Sequence, residues 1–300
     1  MTLELPLPPL YRFDAMINAH GWPQLAPFAW DAEQRMLGRV EQLSSGRIVS
    51  LHIRADGEVL RVELELPEPD ADELGEVERV VRWMVELDED FSEFYNFCAG
   101  YEALQHIPTR GLGPMLRSPT VWEDYVKTVC TTNTTWGQTK GMVRRMVDGY
   151  GAALSEDGPR AFPSPAMIAA VTADEFATTV RAGYRAPYIY ATAVEIAEGR
   201  LDLESFKQVA REIETPELMR ALSKLRGIGL YAAAHMALLL GSYGHIPVDS
   251  WARDLVRRHL RGGEPVTDKE VHAHFEHFGR WKALAFNCWN WEGTAAPAER

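Results

Sequence analysis

Residues 222–260 read LSKLRGIGLYAAAHMALLLGSYGHIPVDSWARDLVRRHL. One helix ends at Lys224-Leu225, a tight turn runs through Arg226-Gly227-Ile228-Gly229, and an alanine-rich helix follows to about residue 241. Glycines permit the sharp reversal between helices. They also expose backbone N–H groups at the start of the second helix, where an anion such as a phosphate can be held. Further on stands Ile246-Pro247-Val248-Asp249, then a helix rich in arginine with Asp249 at its N-terminus. A Gly-x-Gly between helices is usually only a turn, and an aspartate at a helix start is usually only a cap. The ordered combination of hairpin, gap, Pro-Val-Asp and basic helix is far more specific.

Outward from this stretch, the chain beyond about residue 100 shows helical spacing and no convincing strand. Helices are expected near 119–131, 137–150, 165–170, 173–181, 187–197, 204–213, 216–224, 230–241, 249–260, 267–277 and 279–290. Ser118 before Pro119, Thr172, Thr215 before Pro216 and Asp249 supply caps. The first hundred residues read differently. Val49, Leu51 and Ile53 alternate with polar residues, Asp56-Gly57 follows, and Leu60, Val62, Leu64 and Leu66 alternate again. That is a hairpin pattern. Trp30 to Val40 supplies another strand, Pro67-Glu68-Pro69 closes the sheet, and Glu78 to Leu87 has helical spacing. The expected class is α+β: an N-terminal domain of antiparallel sheet plus helix over residues 1–107, then an all-α domain over 108–300 with its hairpin at 222–241.

Composition narrows the function. At 46% hydrophobic and 25% charged, the 300-residue chain forms cores rather than disordered segments. No run of eighteen apolar residues occurs, so no membrane partner is expected, and the N-terminus lacks the pattern of a secretory signal. Three separated cysteines, Cys98, Cys130 and Cys288, rule out a disulfide framework and fit a reducing, cytoplasmic setting. The net charge of −12 speaks against a nucleic-acid binder taken alone. The acid is segregated, however, between Glu58 and Glu93, while Lys140, Arg144, Arg145, Arg253, Arg257, Arg258 and Arg261 gather elsewhere. A basic face is compatible with this distribution.

The motif over 222–260 resembles the helix-hairpin-helix (HhH-GPD) DNA glycosylase superfamily. Ser118-Pro119, Val129 to Asn133, Thr139 to Val143 and Gly183-Tyr184-Arg185-Ala186-Pro187-Tyr188 resemble its 8-oxoguanine DNA glycosylase branch. The N-terminal domain is similar to that branch and to the AlkA-type 3-methyladenine DNA glycosylases II. The resemblance implies that Asp249 is the essential carboxylate, stabilising an oxocarbenium-like transition state or activating the nucleophile. Members that also cut the strand carry a nucleophilic lysine where this chain has Tyr231; a phenol forms no imine, so the resemblance implies a monofunctional enzyme in which water attacks. Were lyase activity found, Lys282, Lys140 and Lys224 would be the lysines to suspect.

By the same resemblance the nucleotide is flipped from the duplex, Tyr184 fills the gap, and Asn133 and Arg185 contact the orphaned base. Gln138 replaces an arginine there, which argues against strict cytosine-opposite recognition. Trp251 and Arg253 on the basic helix complete the DNA-facing set with Arg226, Gly227 and Gly229. Backbone carbonyls of Ser223, Leu225 and Ile228 match positions that ligate a cation bridging to phosphate. No other cofactor is implied, and the cysteines needed for an iron–sulfur cluster are missing. In the base pocket Phe286 matches the stacking residue, Lys282 a glutamine, His235 a cysteine, and Leu25 a glycine. With three reading groups changed, 8-oxoguanine is not the expected base.

Phe278, Trp281, Phe286, Trp289 and Trp291, with Tyr231, suggest instead an aromatic pocket favouring cationic alkylated purines. A charged Lys282 inside it would oppose that. Three readings stand: a monofunctional glycosylase for an alkylated or otherwise damaged purine, an oxidised-purine glycosylase with an altered pocket, and an idle module that binds damaged DNA. The partner expected under each is double-stranded DNA with a damaged base, met by a monomer, with binding that weakens steeply with salt.

Overall fold

The computed structural model describes residues 1–291. Five antiparallel strands, β1 (Thr2–Pro6), β2 (Ala29–Asp31), β3 (Met36–Gln42), β4 (Ile48–Asp56) and β5 (Val59–Glu65), form one sheet in the order β1-β5-β4-β3-β2. The β4–β5 hairpin turns at Gly57, whose φ of 63° suits the Asp-Gly signal. Its register pairs Leu51 with Leu64 and Ile53 with Val62, all buried, so one face of the sheet is apolar. The expected strand 30–40 is two strands joined by a turn at Arg35, φ 50°. β1 escaped the sequence reading because its short alternation runs straight into prolines.

A helix (Ala71–Met84) accompanies the sheet. It starts seven residues before the expected 78, at a capping box formed by Asp70 and Glu73, and buries Val77, Val81 and Met84. All described strands precede residue 66, and the later elements are helical. Two expected caps are corrected. Helix Val121–Thr131 is capped by Thr120 rather than Ser118, because Thr120 is the extended residue whose hydroxyl accepts from Glu123 N. Thr215 lies inside its helix, and its hydroxyl bonds Ser242 Oγ at 2.7 Å instead. The expected helix 279–290 is broken: Gly279, φ 56° and ψ −127°, interrupts it, and the regular helix is Lys282–Asn287. No helix among the described residues is long and apolar enough to cross a membrane.

Two apolar cores organise the chain. In one, the sheet packs with the helices between residues 121 and 239. In the other, residues 91–115 pack with the segment from Leu238 to Trp291. A buried ion cluster joins sheet to helix: Arg39 of β3 donates two bonds to Glu123, at 3.0 and 2.7 Å, and Lys127 lies 2.6 Å from the same carboxylate. Both cations also sit over the Phe28 ring, at 4.7 and 4.3 Å. Removing one partner of such a buried set costs ~3–5 kcal/mol.

Candidate active site

Helix Thr215–Leu222 and helix Leu230–Leu239 enclose the Gly-x-Gly turn. Its two glycines serve different needs. Gly227 has φ 74°, and an added Cβ would lie 2.9 Å from Tyr188 Cδ2, so both backbone and space demand glycine. Gly229 is extended, φ −90° and ψ −172°, and nothing lies within 4 Å of an added Cβ. From beneath, the buried Tyr125 hydroxyl donates to the Arg226 carbonyl at 2.8 Å and accepts from Thr192 at 2.9 Å. The turn is thus pinned to the core by one side and packed against Tyr188 on the other. The Leu225 carbonyl accepts from Ile228 N at 3.2 Å.

Asp249 is the N-cap of helix Ser250–Leu260. One carboxylate oxygen accepts from Ala252 N at 2.8 Å. The residue also lines a small cavity of about 70 Å³ with Tyr231, His235, Trp251, Phe286 and His20. Tyr231 and His235, four apart on one helix, share a face; their rings lie 6.1 Å apart and 17° from parallel. Hence the structure brings Asp249 together with the expected pocket residues Tyr231, His235 and Phe286, and adds Trp251, which was expected on the DNA-facing surface.

Sequence reasoning missed His20, which the segment between β1 and β2 contributes, and Trp22 behind it. Trp22 packs between His20 and His235, at 5.1 and 4.9 Å between centroids. Its indole N–H donates to Asp124 at 2.7 Å. Gly21 lets Trp136 cover this loop, since a Cβ there would lie 2.6 Å from the indole; Trp136 in turn donates to Gln24 Oε1 at 2.9 Å. His20 Nε2 donates to the Leu116 carbonyl at 2.6 Å. A carbonyl can only accept, which fixes the proton on Nε2. Asp124 also accepts from Ser118 N, and burial pushes its carboxyl up to about 6.

Three expected pocket residues lie elsewhere. Lys282 opens the helix after the Gly279 break and pairs with Glu276 at 2.9 Å, outside the cavity lining. Trp281 stacks on Tyr243, centroids 5.8 Å apart. Leu25 is wholly buried in the sheet-side core, at 0% exposure. Of the C-terminal aromatic stretch, Phe286 alone lines the cavity; Phe278 packs with Phe97, Tyr101 and Phe275.

On the surface near the hairpin, Tyr184 stands 50% exposed. Asn133, φ 45°, donates to its hydroxyl at 3.3 Å, and Tyr188 meets its ring edge-on at 6.2 Å. Gln138 is exposed and accepts from Thr134 Oγ1 at 2.6 Å. Arg185 corrects the expectation of a base contact. It is only 7% exposed, donates to the carbonyls of Thr132 and Asn133, and lies 4.5 Å under the Tyr184 ring. It supports the exposed tyrosine and turn rather than reaching outward.

The basic helix is likewise less free than its sequence suggests. Arg253 pairs with Asp268, Arg257 and Arg258 with Asp254, Arg261 with Glu270, and Arg226 with Glu195. Lys140, Arg144 and Lys224 are exposed and form no ion pair among the described residues.

No family model matches the chain. Solved structures do. The 3-methyladenine DNA-glycosylase from Archaeoglobus fulgidus superposes with a TM-score of 0.73 at 21% identity, over 95% of this chain and 97% of that one. The Clostridium acetobutylicum 8-oxoguanine glycosylase/lyase in its apo-form gives 0.74 at 18% identity, over 97% and 95%. The same enzyme with double-stranded DNA containing cytosine opposite 8-oxoG gives 0.71 at 18% identity, over 96% and 95%. The chain therefore has the α+β fold of these glycosylase structures along nearly its whole length.

Proposed function

We propose that this chain is a monofunctional DNA glycosylase of base excision repair, acting on duplex DNA that carries a damaged, chiefly alkylated, purine. The observation that carries the reading is Asp249, capping a helix while lining an aromatic cavity directly beyond a helix-hairpin-helix turn. A carboxylate there can stabilise positive charge developing on the sugar and orient the attacking water. Tyr184 would fill the gap left by the flipped nucleotide, and the amides around Gly227 and Gly229 would hold backbone phosphate.

By the resemblance Tyr231 stands where a lysine would form an imine, and among the described residues no lysine lines the cavity. With Lys282 turned onto Glu276, the charge that opposed a cationic base is also gone from the pocket. The faces of Tyr231, Phe286 and Trp251 suit such a base. Ser223, Leu225 and Ile228 would hold a cation by their carbonyls; Leu225's is engaged by Ile228 N but keeps a second lone pair. Such an ion would add positive charge toward phosphate.

The test is a panel of duplexes bearing methylated, ethenylated, deaminated and oxidised bases. Abasic sites that break only after alkali, with no borohydride-trapped adduct, are expected for a methylated purine. Strand nicks without alkali and a trapped adduct would refute the monofunctional assignment. Binding without release of any base from the panel would favour the idle module.

A further inference from the structure

The cavity holding Asp249 also holds two imidazoles, His235 from the hairpin's second helix and His20 from the segment between β1 and β2, with ring centroids 6.4 Å apart. Neither placement is casual. Three elements clamp the loop that carries His20: Leu116 takes its Nε2 proton, Asp124 takes the Trp22 indole proton, and Trp136 covers Gly21. Trp22 then stands against both imidazoles. Both rings line the cavity that Asp249 lines, so a base drawn into it would meet them.

Resting on the glycosylase reading, we infer that the His20–His235 pair is the general acid for the leaving base, extending the substrate class from cationic purines to neutral ones. An alkylated cationic purine departs without help. A neutral purine leaves as an anion unless it is protonated, and its departure is slow. In the assisted step the C1′–N9 bond breaks with both electrons going to the base. An imidazolium proton passes to a ring nitrogen of that base. Water adds to C1′, its proton passes to Asp249, and Asp249 then releases that proton to solvent as the imidazole takes one up. The balance requires nothing beyond water.

The same pair accommodates a cationic base by staying neutral and offering its ring faces. Besides one another, the titratable groups facing the imidazoles among the described residues are Asp249 and Tyr231 in the cavity and Asp124 across Trp22. His20 loses part of its freedom to the Leu116 carbonyl, a bond that persists in the imidazolium because Nε2 remains a donor.

The experiment compares single-turnover excision of hypoxanthine, a neutral base, with that of 7-methylguanine, a cationic one, by wild type, His20→Gln and His235→Gln. At least one variant should lose about 10²-fold or more on hypoxanthine, within the range for general acid catalysis. Whatever that variant loses on 7-methylguanine should be at least about tenfold smaller, since no proton is then required of it. For wild type, hypoxanthine excision should fall as pH rises and the pair loses its proton, with no matching fall for 7-methylguanine. A purely structural role would lower both activities together, and that result overturns the acid role. So does a wild-type hypoxanthine rate that stays flat as pH rises, a profile that needs no variant to fold. Wild type that frees 7-methylguanine alone also overturns it while sparing the glycosylase reading; wild type that frees neither overturns both.

Discussion

Gly227 and Gly229 look alike in the sequence, and the structure separates them. In Gly227→Ala the left-handed backbone costs about 1–2 kcal/mol for any residue with a Cβ. The new methyl must in addition displace Tyr188, whose Cδ2 lies 2.9 Å away. Tyr188 meets Tyr184 edge-on, so the strain passes to the exposed tyrosine next to the hairpin. For a chain this size a loss of that order lowers the melting temperature by about 2–6 °C. Gly229→Ala adds a methyl to open space at an extended residue and should melt within about 1 °C of wild type. Its methyl would stand where the turn meets phosphate, so duplex affinity should fall about tenfold without loss of stability. Thermal unfolding and fluorescence anisotropy on one labelled duplex measure both effects. Combining Gly227→Ala with Tyr188→Ala should recover the steric part and leave the backbone part. Equal melting losses for the two glycine variants, or no loss for Gly227→Ala, would refute the reasoning.

Asp124→Asn should match or exceed wild-type stability at neutral pH. Burial raises this carboxyl to about 6, so between about 4 and 6 the folded chain binds the proton more tightly than the unfolded one, and wild-type stability falls as pH rises through that window. Denaturant unfolding at several pH values checks this; a gap between wild type and variant that does not widen through the window would contradict it. Arg185→Met should lower both stability and base flipping, because it strips the Thr132 and Asn133 carbonyls of their donor, whereas Tyr184→Ala should lower flipping alone. Thermal unfolding and 2-aminopurine fluorescence separate the two. Lys224→Ala should reduce the salt slope of duplex binding by about one, as for an unpaired phosphate contact. Arg258→Ala should change it less, since Asp254, shared with Arg257, already partly neutralises that arginine.

Much of this site could be read from the chain because its signals are local. Asp249, the hairpin glycines and the Asp56-Gly57 turn depend on backbone geometry within a few residues, and residue type reports that directly. Tyr231 and His235 were legible as neighbours by helical spacing. His20 and Trp22 were not, because a short irregular loop reaches the cavity only through contacts with Leu116, Asp124 and Trp136. No periodicity marks a side chain positioned that way. Lys282 and Trp281 were misplaced for a definite reason. Lys282 and Phe286 do share the helix Lys282–Asn287, but Lys282 opens its first turn, where the Gly279 break brings Glu276 to 2.9 Å from the ammonium. The arginine helix misled in another way, since its charges are answered by acids three and four residues away or on the next helix.

The central claim is that the Asp249 carboxylate acts on the sugar of an extruded nucleotide, and single-turnover base release by Asp249→Asn tests it most directly. The amide retains an oxygen to cap Ala252, so folding and duplex affinity should persist. Base release should drop by about 10²–10³-fold, the scale of losing one charge aimed at the transition state. Release at the wild-type rate by a folded, DNA-bound Asp249→Asn protein would contradict the account.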